Sequence, residues 1–552
     1  MDQAMRCQLE WFFANNKYRI PLLLTGILAY GFSIVQPSIG NDDTAIPYYY
    51  LEGQDVRMGR WTLFVLNKVF HFAEYAPYFL ELIGLLLLML GATLFCVLFR
   101  RITEEDDCWS YTIFSCVFIS SPIICEINYY YTHNGVDLSF CCIALALLAF
   151  DNLVTGGQNV KNKVLILASN LLLVGVVIGC CESMIIVYAI GILMVCYLRK
   201  QKESDQLSWK RIVLLGFAVG SICVVNVALR GLIKDFMVWA FDLYEAGDAT
   251  DWRSAGEGIS RIFEPEGFAE LKMLIKRFWL VYHVNAFVYL PILAYAAACL
   301  VVFWDAAVLM IRRRSLWYPL FWLGMYMAPF VLVLAEWKVP AYRSAQFLPI
   351  FAGFGTFILY RAVRGKWESI WRKVILACAL ILVYNQAEYM NRCFYIEHMI
   401  YQSNRDVLSE VAVELQRNYD SSLPVVFRGK NETPEVFSNH YVAPFHSPGY
   451  KMVALVSGIV DEELKEKYFV WSGYNYGVEI YSDFFTYGYA AFHNNSEQIT
   501  IFLNYLGYSF RPLTDKELLA EADAKWQDMP SWPAEGSIQE FDRYILIRLG
   551  NQ

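Results

Sequence analysis

Asn41-Asp42-Asp43 stands a few residues beyond the first long apolar run. Acids placed where a helix leaves a bilayer are costly and usually functional. Consecutive carboxylates point in different directions on most backbones, so a pair facing each other across a substrate, as in a glycosidase, is not expected. One acid acting as general base, with the other holding a ligand, a metal or an arginine, fits the spacing. The plainer alternative is a cap on the first span or an ion pair with Arg57 or Arg60, which lie in the same segment. Arg343 follows in Val339-Pro-Ala-Tyr-Arg343, at the start of a later apolar run. Guanidinium groups bind phosphate in bidentate fashion, and a helix start favours an anion. Arg60, Arg343 and Arg57 could therefore hold a phosphate near Asp42. Arg57 and Lys338 could equally be interface residues, with stems on apolar surface and heads in water.

Other candidates lie in two further connections. Glu126, His133 and Asp137 share the stretch Glu126-Ile-Asn-Tyr-Tyr-Tyr-Thr-His133-Asn-Gly-Val-Asp137, where a histidine near carboxylates could serve acid/base chemistry or bind a substrate. A lone loop histidine is more often an ordinary polar residue. Glu182, in Cys-Cys-Glu182-Ser, is a candidate for substrate binding between two short apolar runs. Trp61, Trp337 and the tyrosine runs 48–50 and 129–131 could stack on rings, or form the aromatic belt of a membrane interface.

The elements that position these residues follow from composition. At 57% hydrophobic and 18% charged over 552 residues, the chain is too apolar for an ordinary soluble protein and reads as a polytopic α-helical membrane protein. The net charge of -8 gives no reason to expect nucleic acid; the partner is the lipid bilayer, and basic residues fall in short clusters beside apolar runs. The N-terminus lacks a cleavable small-residue site, so the first run is expected to stay as a helix. Nearly all of the 14 cysteines lie in apolar runs and none beyond residue 400, so they read as small buried residues rather than a disulfide framework. No zinc-like spacing occurs.

Runs near 18–37, 77–99, 108–124, 137–152, 164–180, 183–198, 211–230, 284–308, 315–335, 344–361 and 374–390 predict about eleven spans. Arg6/Lys17/Arg19, Arg100/Arg101, Lys161/Lys163, Arg199/Lys200/Lys202, Arg312/Arg313/Arg314 and Arg361/Arg364/Lys366 then share one side, which the inside-positive bias makes cytoplasmic. That result needs residues 164–198 to be a hairpin turning at Glu182; a single crossing would invert every later cluster. The N-terminus is then cytoplasmic and the C-terminus outside. Within 231–283, Leu271, Leu274, Ile275 and Phe278 recur at helical spacing opposite Lys272 and Lys276, which predicts an amphipathic interfacial helix. A membrane domain, 1–390, is followed by an extracytoplasmic α/β domain, 391–552, with a helical stripe over 407–415 and strands at 424–427 and 543–547.

The order of these features resembles the C-type superfamily of integral-membrane glycosyltransferases (GT-C). More narrowly, Asn41-Asp42-Asp43, Gly59-Arg60-Trp61, Tyr131 to Asp137 ahead of an Ala/Leu-rich helix, and Tyr342-Arg343 are similar to the glucosyltransferase II-type family, whose members decorate bacterial surface polysaccharide such as O-antigen. Asp406 opening a helix, Pro424-Val-Val-Phe-Arg-Gly429 and Met529-Pro-Ser-Trp-Pro-Ala-Glu-Gly-Ser-Ile538 resemble that family's tail. The resemblance implies a GT-C-like fold in the bacterial plasma (inner) membrane. It also implies an inverting transfer of a hexose, with glucose expected, from a polyprenyl-phosphate donor such as undecaprenyl phosphate glucose to a hydroxyl of a surface polysaccharide or glycolipid. Asp42 or Asp43 would be the base, and Arg60, Arg343 and Arg57 would bind the donor phosphate. Glu126, His133, Asp137, Glu182, Trp61 and Tyr342 would line the substrate, and a divalent cation, magnesium or manganese, could sit at Asp42 and Asp43. Consistently, no Gly-rich nucleotide loop occurs. The alternative is a transporter or flippase of a lipid-linked saccharide, but alternating access favours a midplane site with repeat symmetry, whereas these acids and arginines cluster at one face and no internal repeat is found.

Overall fold

The computed structural model describes residues 3–36, 53–71, 76–125, 130–155, 159–202, 208–243, 260–287, 289–337, 339–340, 342–429, 448–457 and 496–550. The apolar runs are all helical. They form α1 (Asn16–Val35), α3 (Pro77–Thr103), α4 (Cys108–Ile119), α5 (Tyr130–Thr155), α6 (Val160–Cys180), α7 (Met184–Gln201), α8 (Trp209–Ala240), α10 (Leu290–Arg313), α11 and α12 (Trp317–Met327 and Phe330–Glu336), α13 (Phe347–Ala362) and the first half of α14 (Glu368–Asn418). Between them lie α2 (Trp61–Phe70) and α9 (Gly267–Tyr282). Among the described residues eight helices are long and apolar enough to cross a membrane. The expected eleven include three shorter pieces. α4 has 12 residues and α13 has 16. The run 315–335 is split at Ala328-Pro329, where proline removes a backbone donor.

Two boundaries differ from expectation. α8 continues ten residues past 230, carrying Arg230 and Lys234 within the helix, because nothing in 231–240 breaks it. α5 begins at Tyr130, so most of the predicted second loop is helical. The hairpin at Glu182 is present as two separate helices, and α9 is the amphipathic helix anticipated, burying Leu274 and Phe278 while Ile275 remains exposed. None of the described cysteines is in a disulfide, and most are buried.

The helices share one polarity of ends. α1, α4, α6 and α8 start there with Asn15, Asp107, Asn159 and Ser208 side chains accepting from backbone N–H groups of the first turn, which satisfies donors that a helix start leaves open. α3, α7, α10 and α13 finish there with Arg100/Arg101, Arg199/Lys200, Arg312/Arg313 and Arg361 in the last turn, where cations complement the helix dipole. Ion pairs join these ends: Lys202 with Glu104, Arg361 with Glu105 and Arg372 with Asp107. A further pair is buried and bidentate, with Arg199 Nε and Nη2 donating to the two carboxylate oxygens of Asp151 at 2.7 Å each. The basic clusters therefore form one face of the molecule.

α14 crosses the whole structure. Its second turn meets Asp107 through Arg372, Ser120 donates to Gln386 Oε1 at 2.8 Å farther along, and Tyr30 packs on Phe394 at the middle of the helix. The helix passes 390 without a break, and at about 1.5 Å per residue it is roughly 75 Å long. Its last turns supply Leu408, Val411, Ala412 and Leu415 to the core of a small sheet in the order β1-β3-β2, with β1 (Val425–Arg428), β2 (Ile538–Phe541) and β3 (Tyr544–Arg548). β1 and β3 are the two expected strands and pair in parallel. β2 lacks an apolar run because Gln539 and Glu540 face water, and it pairs antiparallel to β3. The sheet domain thus lies beyond the face opposite the basic clusters.

On the inside-positive bias the basic face is expected in the cytoplasm. In a cysteine-depleted background, Ser421→Cys on the exposed surface of the sheet domain should react with a membrane-impermeant thiol reagent in intact cells or spheroplasts. Lys366→Cys, exposed at the basic face, should react only after lysis. Labelling in the opposite pattern would invert the orientation.

Candidate active site

At the face opposite the basic clusters, α2 is the element that gathers the candidate residues. Ten residues rise only about 15 Å, too little to cross a bilayer, so this apolar helix must dock on its neighbours. It is entered through a short turn, Gln54–Arg57, in which Gly59 N–H donates to Val56 O at 2.8 Å and Arg60 N–H to Asp55 O at 2.7 Å. Gly59 has φ +75°, a conformation that suits glycine. Arg60 is the residue before the first helical turn, and its carbonyl accepts from Leu63 N–H at 3.0 Å.

Docking depends on small residues of α5 and α6. A Cβ on Gly179 would lie 2.2 Å from Thr62 Oγ1 and 2.7 Å from Trp61 Cε2, and one on Gly135 would lie 2.3 Å from Leu63 Cδ2. Thr62 donates to Val176 O at 3.0 Å, a hydrogen bond that fixes the depth of α2 against α6. Trp61 is half-buried in this contact. Glu182 follows α6 at the hairpin and meets Arg230 of α8 at 3.4 Å. Asp137 stands half a helical turn beyond Gly135 and is buried, with Glu81 of α3 acting on it electrostatically. Glu81 in turn accepts from Ser33 at the end of α1, at 3.4 Å. The structure therefore brings Arg60, Trp61, Glu182 and Asp137 onto adjoining elements, at the end of α1 from which residues 37–52 depart.

A second group surrounds Tyr342–Ser344, a 3-10 turn ahead of α13. Tyr342 is fully buried; its hydroxyl donates to Val281 O at 3.0 Å and accepts from Asn285 at 3.2 Å. It ties the turn to α9 and offers its hydroxyl to the protein interior. Tyr282 donates to Pro340 O at 2.7 Å, and Gln346 to Ile123 O at 2.9 Å, so the turn bearing Arg343 is held from both sides. Nearby, burial pushes the His283 imidazole down to about 4, which leaves it neutral at physiological pH beside this group.

Asp42, Asp43, Glu126 and Lys338 lie outside the described residues, as do the side chains of His133 and Arg343. The backbone of His133 is in the first turn of α5. Arg57 is half-buried in the entry turn. Among the described residues no group of three or more His, Cys, Asp or Glu side chains could hold a metal ion, and the acids expected to do so are not among them. Sequence reasoning missed Arg230, Glu81 and Thr62. Arg230 carried a readable signal, an arginine on the face where the inside-positive bias disfavours one.

Residues 31–360 match the family model for glucosyl transferase GtrII. No curated protein sequence matches the chain. Among solved structures it is similar to the archaeal oligosaccharyltransferase AglB from Archaeoglobus fulgidus in complex with an inhibitory peptide and a dolichol-phosphate, at 12% identity and a TM-score of 0.35, over 68% of this chain and 56% of that one. It is also similar to the Archaeoglobus fulgidus oligosaccharyltransferase tethered to an acceptor peptide containing the NVT sequon, at 13% identity and a TM-score of 0.33, over 81% of this chain and 64% of that one. The chain spans less than two thirds of either.

Glycine to alanine in a helix interior is ordinarily stabilising by about 0.5–1 kcal/mol. Gly179→Ala should do the opposite and lower activity at least about tenfold, because α2 must shift away from α6 by roughly an ångström. Gly216→Ala on α8, where an added Cβ meets nothing within 4 Å, should leave activity unchanged. Normal activity in Gly179→Ala would show that the docking of α2 is irrelevant to the site.

Proposed function

The chain belongs to the glucosyl transferase GtrII family, and on that premise we propose that it is a multi-pass membrane glycosyltransferase that moves a hexose, glucose, from a polyprenyl-phosphate carrier to a hydroxyl of a cell-surface glycan at the face opposite the basic clusters. The observation that carries this reading is the convergence of Gly59-Arg60-Trp61 and Glu182 on adjoining elements there, within the stretch that matches the family. A membrane-embedded donor would present its phosphate at that level.

An acceptor hydroxyl is a poor nucleophile until a base removes its proton. In the proposed step Asp42 or Asp43 takes that proton, and the acceptor oxygen forms a bond to the anomeric carbon. The bond from that carbon to the phosphate oxygen breaks, and the lipid phosphate leaves with the electron pair. A single displacement inverts the anomeric centre. Arg60 and Arg343 neutralise the charge that grows on the leaving phosphate, where guanidinium geometry suits two of its oxygens. Arg57 adds positive potential to the same turn. Trp61, His133 and Asp137 bound the space in which the sugar is held.

The test is sugar transfer by purified protein given a polyprenyl-phosphate hexose and a surface-glycan acceptor; binding or movement of the donor without transfer would favour a transporter. Asp42→Asn and Asp43→Asn should both fold, and at least one should lower turnover about a hundredfold or more. Near-normal turnover in both would remove the base from this pair. Arg343→Ala should raise the KM for donor more than that for acceptor, and Arg343→Lys should recover only part of the loss because an ammonium is a point charge rather than a planar fork. Equal effects on the two substrates would take Arg343 out of the phosphate site.

A further inference from the structure

We propose that Arg230 is a positioning residue that clamps the turn ahead of α2 and so sets Arg60 and Trp61, with Glu182 acting through it as counter-ion. This rests on the glycosyltransferase reading only for its kinetic readout. Arg230 Nε donates to Gly59 O at 3.4 Å, Nη2 donates to Met58 O, and Nη2 also reaches Glu182 Oε2 at 3.4 Å. One edge of a single guanidinium therefore joins two consecutive carbonyls of the turn to the α6–α7 hairpin.

The backbone accounting explains why an arginine is needed. Gly59 and Arg60 satisfy their N–H groups inside the turn, on Val56 O and Asp55 O. The carbonyls of Met58 and Gly59 point away from the turn, and a half-buried carbonyl needs a donor. Arg230 and Glu182 are each about one-fifth exposed, so the pair is withdrawn from bulk water, and removing one partner would leave a poorly hydrated charge. Glycine at 59 is part of the same device. A Cβ there would lie 2.1 Å from Arg230 Nε, so the missing side chain makes room for the guanidinium at a residue whose positive φ already favours glycine.

The clamp matters because Arg60 and Trp61 follow Gly59 directly. α2 is held along its length by Thr62 and by the close approach of Gly179, but the orientation of its first residue is fixed by the turn. With its Nε and Nη2 edge committed to protein, Arg230 is not available to grip a phosphate in bidentate fashion. Its effect on turnover has to pass through the geometry of Arg60 and Trp61, where displacement of about an ångström can cost roughly a hundredfold.

The experiment compares Arg230→Ala, Arg230→Lys, Glu182→Gln and the exchanged pair Arg230→Glu with Glu182→Arg. Each is assayed for kcat and donor KM, and for the thiol-labelling rate of a Met58→Cys reporter in a cysteine-depleted background. Arg230→Ala should lower kcat about a hundredfold and speed labelling of the reporter. Arg230→Lys should recover part of both, and Glu182→Gln should lose less than Arg230→Ala. The exchanged pair should remain as poor as Arg230→Ala, since a glutamate at 230 meets two carbonyls and donates to neither. Full recovery by the exchange would reduce the pair to a simple ion pair, and loss of turnover with unchanged labelling would mean that Arg230 contacts substrate; either overturns the proposal, as does wild-type behaviour of Arg230→Ala. If that variant does not accumulate, Arg230→Lys and Glu182→Gln make the same comparison. Should the unsubstituted enzyme fail to transfer sugar, the functional reading falls, while the labelling rates still decide whether the clamp exists.

Discussion

A polar group inside hydrocarbon has no water to turn to, and each one left without a partner costs several kcal/mol. This constraint sorts the residues of the protein. Many of the cations and their acids are gathered at one face, where the buried pair Asp151 and Arg199, with the exposed Arg101, ties the ends of α3, α5 and α7. Several of the polar side chains that enter the bundle have partners and become cross-links. Tyr18 joins α1 to Thr93 of α3 and Ser115 of α4, each at 3.0 Å, and Tyr188 joins α7 to Asn170 of α6. Each bond satisfies a buried group and fixes the relative height of two helices.

The opposite face has the complementary problem. There the protein must hold charged and polar residues close together without dissolving the helix packing beneath them. Its solution is to place Arg60 and Trp61 at the start of a short docked helix instead of in an open loop. Sites built on helices hold their geometry more closely than sites on loops. The glycines of α5 and α6 let that helix approach to backbone distance, and the hydrogen bond from Thr62 sets its height. Asp137 then stands on one of the two helices that support α2, and Glu182 at the end of the other.

α14 gives the molecule its long-range order. A helix of 51 residues has no hinge if nothing interrupts its hydrogen bonds, and here it carries the packing of α1 and α4 at one end and the sheet at the other. Phe32 at the end of α1 packs on Tyr395 and His398 of α14.

Fold class, the positions of the apolar helices, the hairpin at Glu182, the amphipathic helix α9 and two of the three strands among the described residues were legible in the sequence, because each depends on local patterning: run length, helical spacing, and a β-branched run. The family was legible in short motifs, of which Asp42-Asp43 paired with Gly59-Arg60-Trp61 was the most specific. What the sequence could not reveal were relations between distant positions. β2 has no apolar signature since its register is imposed by β3, whereas the break at Pro329 and the extension of α8 past 230 have local causes that run length alone passes over. Arg230 lies 171 residues from Gly59 along the chain. No periodicity connects them. Their pairing exists only because α6, α7 and α8 pack so as to bring one guanidinium to the two carbonyls that the turn at Gly59 leaves without a donor.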